Sequence, residues 1–119
     1  MNRVFQQAWF VPGTLAANHT INFTAPFDMQ LVHASLSNTS ANAGTLKIGT
    51  AADDDAYLAA ENFGVSSTPA EVSTFAGFDG ATAGSQYPHI PDGTNVLLTI
   101  TDHASHMANA AVVLTFTEG

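Results

Sequence analysis

Towards the C-terminal end the chain alternates between apolar and polar residues with a period of two. In "TNVLLTIT" Val96, Leu98 and Ile100 share one parity, with Leu97, Thr99 and Thr101 on the other. In "AAVVLTFT" Val112, Leu114 and Phe116 alternate with Val113, Thr115 and Thr117. Successive side chains of an extended chain point to opposite faces, so each run predicts a half-buried strand. The short polar segment between them predicts that the two pair as an antiparallel hairpin.

The same period recurs upstream. "NHTINFT" sends Ile21 and Phe23 inward and Thr20, Asn22 and Thr24 outward, and "TLKIG" sends Leu46 and Ile48 inward around Lys47. "DMQLVHASLS" is mixed, with Met29 and Leu31 on one parity and Val32, Ala34 and Leu36 on the other, which predicts a central strand covered on both faces. "AEVSTFAG" is a weaker strand candidate. Turn-forming clusters separate these runs: "VPGT", "APFD", "SNTSANAG", "AGFDGATAGSQYP" and "IPDG". One segment reads differently. In "DDDAYLAAENFG" aspartates precede an Ala/Leu run that stops at Gly64, matching an N-cap, a short helix or helical turn, and a C-terminal glycine. The predicted fold is therefore all-β: a jelly-roll-like antiparallel β-sandwich with one short helical turn.

From Arg3 to Val11 both parities carry large apolar groups, Phe5, Trp9 and Val11 on one and Val4, Ala8 and Phe10 on the other. Such a strand calls for cover on both sides. An ordinary core strand is one reading; the other, preferred here, takes residues 1–17 as a strand or intersubunit arm and 18–119 as the sandwich, within a single domain overall. Val4, Phe5, Trp9, Phe10 and Val11 are the candidate interface residues on this reading.

Composition narrows the function. Forty-five per cent of residues are apolar, but twenty are alanine, so the core rests on eight Phe, Trp9 and the branched aliphatics. Only Arg3 and Lys47 oppose ten acidic residues, and a net charge of −8 repels phosphate chains, which argues against nucleic acid as a partner. With no cysteine, disulfide, thiolate and thiolate-metal chemistry is excluded. "MNRVFQQAWFVPG" is expected to be neither a signal peptide nor a membrane span, which needs about 20 apolar residues.

Asp102, His103 and His106 in "TDHASHMANAAVVL" combine carboxylate and imidazole, the donors of a zinc or iron centre. On a strand, residues three apart face opposite ways, so the imidazoles converge only if the loop curls; the expectation is a solvated turn. His19, His33 and His89 are isolated, and no H-x-H of a metal-dependent jelly-roll enzyme occurs. The consecutive acids Asp53, Asp54 and Asp55 lack the alternating spacing of a calcium-binding loop and read as an acidic helix start. No G-x-S-x-G, no Ser/His/Asp arrangement with context and no glycine-rich phosphate cradle is present. The expectation is a non-enzyme with no catalytic residues, no cofactor and no metal. Trp9, Tyr57, Phe75, Phe78 and Tyr87 are candidates for stacking on sugar rings, which keeps a carbohydrate- or receptor-binding module as the alternative function.

The ordered strings "HTINFTAPFDMQLVHASLSN", "TLKIGTAADDDAYL", "YPHIPDGTNVLLTIT" and "AAVVLTFTEG" resemble small β-sandwich proteins encoded among the head genes of tailed phages, from about Asn18 to Gly119. The resemblance implies a capsid decoration, or cement, protein, a virion structural protein bound to the outside of the head at junctions of the major capsid protein. It further implies self-association as a homotrimer or homodimer, assembly in the host cytoplasm, a place on the capsid exterior, and no nucleic-acid or membrane partner.

Overall fold

The computed structural model describes residues 3–74, 77–78 and 87–119. Among them the chain forms nine strands: β1 (Val4–Thr14), β2 (His19–Thr24), β3 (Met29–Ser37), β4 (Thr45–Gly49), β5 (Leu58–Asn62), β6 (Ala70–Val72), β7 (His89–Ile90), β8 (Asn95–Thr101) and β9 (Ala108–Glu118). All strand pairs are antiparallel. One sheet has the order β1-β9-β3-β6, with β7 also on β3, and the other β2-β8-β4-β5. Consecutive strands pass repeatedly from one sheet to the other, so two Greek keys are wound together. This is the jelly-roll arrangement of a sandwich, as the strand count and turn spacing predict.

The inward parities read from the sequence hold. Leu46, Ile48, Val96, Leu98, Ile100, Val112, Leu114 and Phe116 are all buried between the sheets. Burying each such side chain contributes about 1.5–3 kcal/mol, so these inner faces hold the sandwich closed. At the β1–β2 end the filling is aromatic, with Phe5 and Phe23 at 5.3 and 5.7 Å from Phe116, centroid to centroid, and Trp9 at 5.5 Å from Phe23.

Three expectations are corrected. First, β8 and β9 are not a hairpin. β8 pairs with β2 and β4, whereas β9 pairs with β1 and β3. Their matching inward sets meet face to face across the core, and the connection between them crosses from one sheet to the other. Second, the double-sided pattern of β3 does not mean cover on both faces. The register with β9 shifts between Leu31 and His33, and this bulge reverses the parity. Met29 and Leu31 before it, and Ala34 and Leu36 after it, therefore all enter one core, while Val32 is only half-buried.

Third, "DDDAYLAAENFG" is not helical. Leu58–Asn62 is β5, with Leu58 opposite Ile48, Glu61 opposite Leu46 and Asn62 opposite Thr45. The free edge of β4 offers a full set of backbone partners, and this outweighs the few tenths of a kcal/mol per residue by which Ala and Leu prefer helix. The acidic stretch is the turn of the β4–β5 hairpin, closed by Thr50 N–H to the Asp53 carbonyl at 2.8 Å and Tyr57 N–H to the Ile48 carbonyl at 2.9 Å. Gly64 is not a helix stop. It bridges to Ser37, and a methyl group there would overlap the Thr68 carbonyl oxygen.

Candidate interaction surface

β1 is an edge strand. Its residues Val4 to Val11 pair in unbroken register with Thr117 to Ala110 of β9, and no described strand lies on its other side. "VPGT" falls within this strand as a bulge, not as a loop. Gly13 adopts φ +77° there, and its N–H donates to Asn109 Oδ1 at 2.8 Å. Of the segment 1–17, Val4 to Thr14 is thus joined to a strand of the same chain.

The sheet divides the five candidate interface residues. Phe5, Trp9 and Val11 point inward and pack against the core, a choice between the two apolar parities that the sequence left open. Val4 and Phe10 point outward and are 68% and 61% exposed. Around them the outer face of the sheet is short of charge. Phe10 lies opposite Ala111, Ala8 opposite Val113, and Gln6 opposite Thr115, with Gln6 Nε2 donating to Thr115 Oγ1 at 3.0 Å. Ser37 and Ser35 of β3 continue those rows. The first ionisable groups met are His33 and Glu71, 3.3 Å apart at the β3–β6 side. The outer face of the other sheet is mostly polar, with Thr20, Asn22 and Thr24 on β2, Thr99 and Thr101 on β8 and Lys47 on β4 around a half-buried Leu97. Among the described residues the two most exposed large apolar side chains, Val4 and Phe10, thus share one face, with a less exposed Val65 in the loop after β5, and that face is the surface most suited to a protein partner.

Both basic residues are engaged. Arg3 Nη2 contacts Glu118 Oε2 at 2.6 Å, with its guanidinium 4.3 Å from the centroid of the Phe27 ring. Glu118 holds the Arg3 pKa up, and the Arg3 hydrogen bond holds the Glu118 carboxyl below its usual range. Lys47 Nζ lies 3.7 Å from Asp54 Oδ2.

The loop of Asp102, His103 and His106 does curl, but around the carboxylate. Asp102 Oδ1 accepts from the N–H of His103 at 2.9 Å and of Met107 at 2.8 Å, while Oδ2 lies 2.7 Å from His106 Nδ1. The Asp102 side chain is only 7% exposed. Burial alone would raise its pKa, yet the hydrogen bonds from His106, Met107 and His103 outweigh it and hold the carboxyl below its ordinary value. His103 Nδ1 accepts from Ser105 N–H at 2.9 Å, so the two imidazoles take separate partners. His106 sits at φ +65°, inside the turn closed by its N–H to the His103 carbonyl. Sequence reasoning missed what this loop docks on. Asn38, 1% exposed, donates from Nδ2 to the Gly64 carbonyl at 3.0 Å and accepts at Oδ1 from Ser40 N–H at 2.9 Å. Ser40 Oγ and Asn42 Nδ2 then reach the carbonyls of His106 and Ser105. No periodicity could have disclosed a polar lock between loops so distant in sequence.

Asp53, Asp54 and Asp55 bring carboxylate oxygens within 4.8 Å of one another in the exposed β4–β5 turn. Of the candidate stacking aromatics, Phe78 is buried, Trp9, Tyr57 and Tyr87 pack against the core, and Phe75 lies outside the described residues. Tyr57's hydroxyl pKa is raised by that burial, and Tyr87 donates to the Ser73 carbonyl at 2.9 Å.

The fold resembles that of a phage capsid chain. That chain belongs to a structure described as the cyanophage Pam1 capsid asymmetric unit. It superposes over 98% of this chain and 82% of its own length, with a TM-score of 0.58 and 21% sequence identity. No protein-family profile and no curated protein matches the chain.

Proposed function

We propose that the protein is a virion structural protein, a decoration or cement protein that binds the exterior of a tailed-phage head and stabilises it. The observation that carries this reading is the whole-length likeness of the sandwich to a chain of the cyanophage Pam1 capsid asymmetric unit. The order of sequence strings resembling small phage head proteins supports it independently. The major capsid protein is the partner, and the outer face around Val4 and Phe10 is the docking surface. The protein acts by binding alone: no bond is made or broken, and no cofactor or metal takes part.

The energetics suit a cement. Val4 and Phe10 are mostly exposed, so covering both removes apolar area worth about 2–4 kcal/mol per copy at about 25 cal/mol per Å². That is modest for one contact, but a shell presents many equivalent sites, and linked copies add avidity. A surface with formal charge −8 also stays clear of the packaged genome.

The test mixes purified protein with empty heads of the phage that carries the gene. Co-sedimentation is expected, with Phe10→Ser binding roughly tenfold more weakly while its unfolding transition stays unchanged. Failure of the folded wild-type protein to bind such heads refutes the proposal.

A further inference from the structure

The edge of β1 carries a second inference, separate from the capsid reading because it concerns the isolated chain. We infer that β1 pairs antiparallel with β1 of a second copy about a two-fold axis at Gln7, joining the two β1-β9-β3-β6 sheets into one continuous sheet. Long exposed edge strands template pairing with another chain, and proteins that stay alone guard them with lysine, proline or inward charges. Pro12 and the bulge between Val11 and Thr14 guard only the far end of this edge, and from Val4 to Val11 it has no such guard. Residues 4–27 contain no Asp, Glu, Lys or Arg. That stretch supplies both β1 and β2, the edge strands of the two sheets on the same side of the sandwich. From Val4 to Phe27 this flank thus carries no formal charge in a chain carrying −8, with the Arg3–Glu118 pair at its end, while the opposite flank bears Glu61 on β5 and Glu71 on β6. Two copies repel each other in most orientations, and the neutral flanks are where they can meet.

The register follows from the side chains. For the outer faces of both copies to lie on one side, even residues must oppose even residues and odd oppose odd. Val4 and Phe10, the two exposed large apolar residues of β1, stand three positions either side of Gln7. A two-fold at Gln7 therefore sets Val4 of each copy opposite Phe10 of the other, Gln6 opposite Ala8, Phe5 opposite Trp9, and Gln7 opposite itself. Each exposed apolar side chain then gains a cross-strand apolar partner, the arrangement that stabilises neighbouring strands. The interface is isologous and closes as a dimer.

Cysteine cross-linking in the absence of shells tests the register without background, because the chain has no cysteine of its own. Gln7→Cys sets two thiols directly opposite, at Cα separations of about 4.5–5.5 Å that a disulfide spans. With diamide as oxidant it should give covalent dimer rapidly. Gln6→Cys, whose twin lies diagonally at roughly 8 Å, should not. Ala8→Lys, on an exposed position, should weaken association measured by sedimentation on the order of a hundredfold while leaving the fold intact. A wild-type protein that stays monomeric with no Gln7→Cys dimer, or equal cross-linking at positions 6 and 7, overturns the inference. Head binding by such a monomer leaves the capsid reading standing, and a cross-linked dimer that ignores heads does the reverse.

Discussion

Replacing Asp102 tests the account of the crossing loop most directly. Its carboxylate serves three donors: the backbone N–H groups of His103 and Met107 through Oδ1, and the His106 imidazole through Oδ2. Met107 is fully buried, so Asp102→Ala leaves its N–H without acceptor or water, a loss of about 1–3 kcal/mol. The half-buried His103 N–H and the exposed His106 ring can be rehydrated, which adds less than about 1 kcal/mol. The total expected is about 2–3 kcal/mol. Asp102→Asn keeps an oxygen able to serve both backbone donors and gives up only the charge and the His106 contact, so about 1 kcal/mol is expected. Urea unfolding followed by the fluorescence of Trp9, the single tryptophan, reads both variants. A loss of 2–3 kcal/mol should move the midpoint by about 1–2 M. The pH dependence adds a further arm. The folded-state pKa of Asp102 is depressed, so its contribution is complete above the unfolded carboxyl value near about 3.9 and is lost as pH falls through the lower folded value. The stability gap between wild type and Asp102→Asn should therefore close as the solution is acidified from about pH 5 to below about pH 3. If Asn proves as costly as Ala, or the gap is flat with pH, the carboxylate does not organise this loop.

Two further substitutions probe the sandwich itself. Phe116→Ala removes the ring on which Phe5 and Phe23 both pack and should cost about 3–5 kcal/mol in the same unfolding assay; a loss under about 1.5 kcal/mol would mean that the aromatic end is not core. Gly64→Ala pushes a methyl group into the backbone of Thr68 and Pro69, so a destabilisation of about 1–3 kcal/mol is expected, and unchanged stability would show that the approach of the 64–69 loop is looser than described.

The place of β1 changes what its removal would do. An arm that merely reaches out can be cut away from a folded domain. Here Phe5, Trp9 and Val11 roof the aromatic end of the core, and deleting residues 2–11 would bare both that core and the backbone edge of β9. Point changes on the outer face, such as Phe10→Ser, separate docking from folding where truncation cannot.

Period-two alternation is a property of the extended backbone alone, so the inward sets of β2, β4, β8 and β9 were legible residue by residue. The turn clusters between them and the lack of charge along residues 4–27 were equally plain in the chain. Partner choice was not. Val96, Leu98 and Ile100 match Val112, Leu114 and Phe116 equally well as neighbours in one sheet or as opposing walls of a core, because burial satisfies both. Only the competition of β2, β4, β1 and β3 for the same backbone edges sent them to opposite sheets. The same competition drew Leu58–Asn62 onto the edge of β4 against its helical preference. A one-residue bulge in β3 turned two apparent faces into one, and a buried Asn38 tied loops that lie far apart in sequence. Local geometry decides which way a side chain points; what it points at depends on backbone hydrogen bonds that are satisfied only when the whole chain has folded.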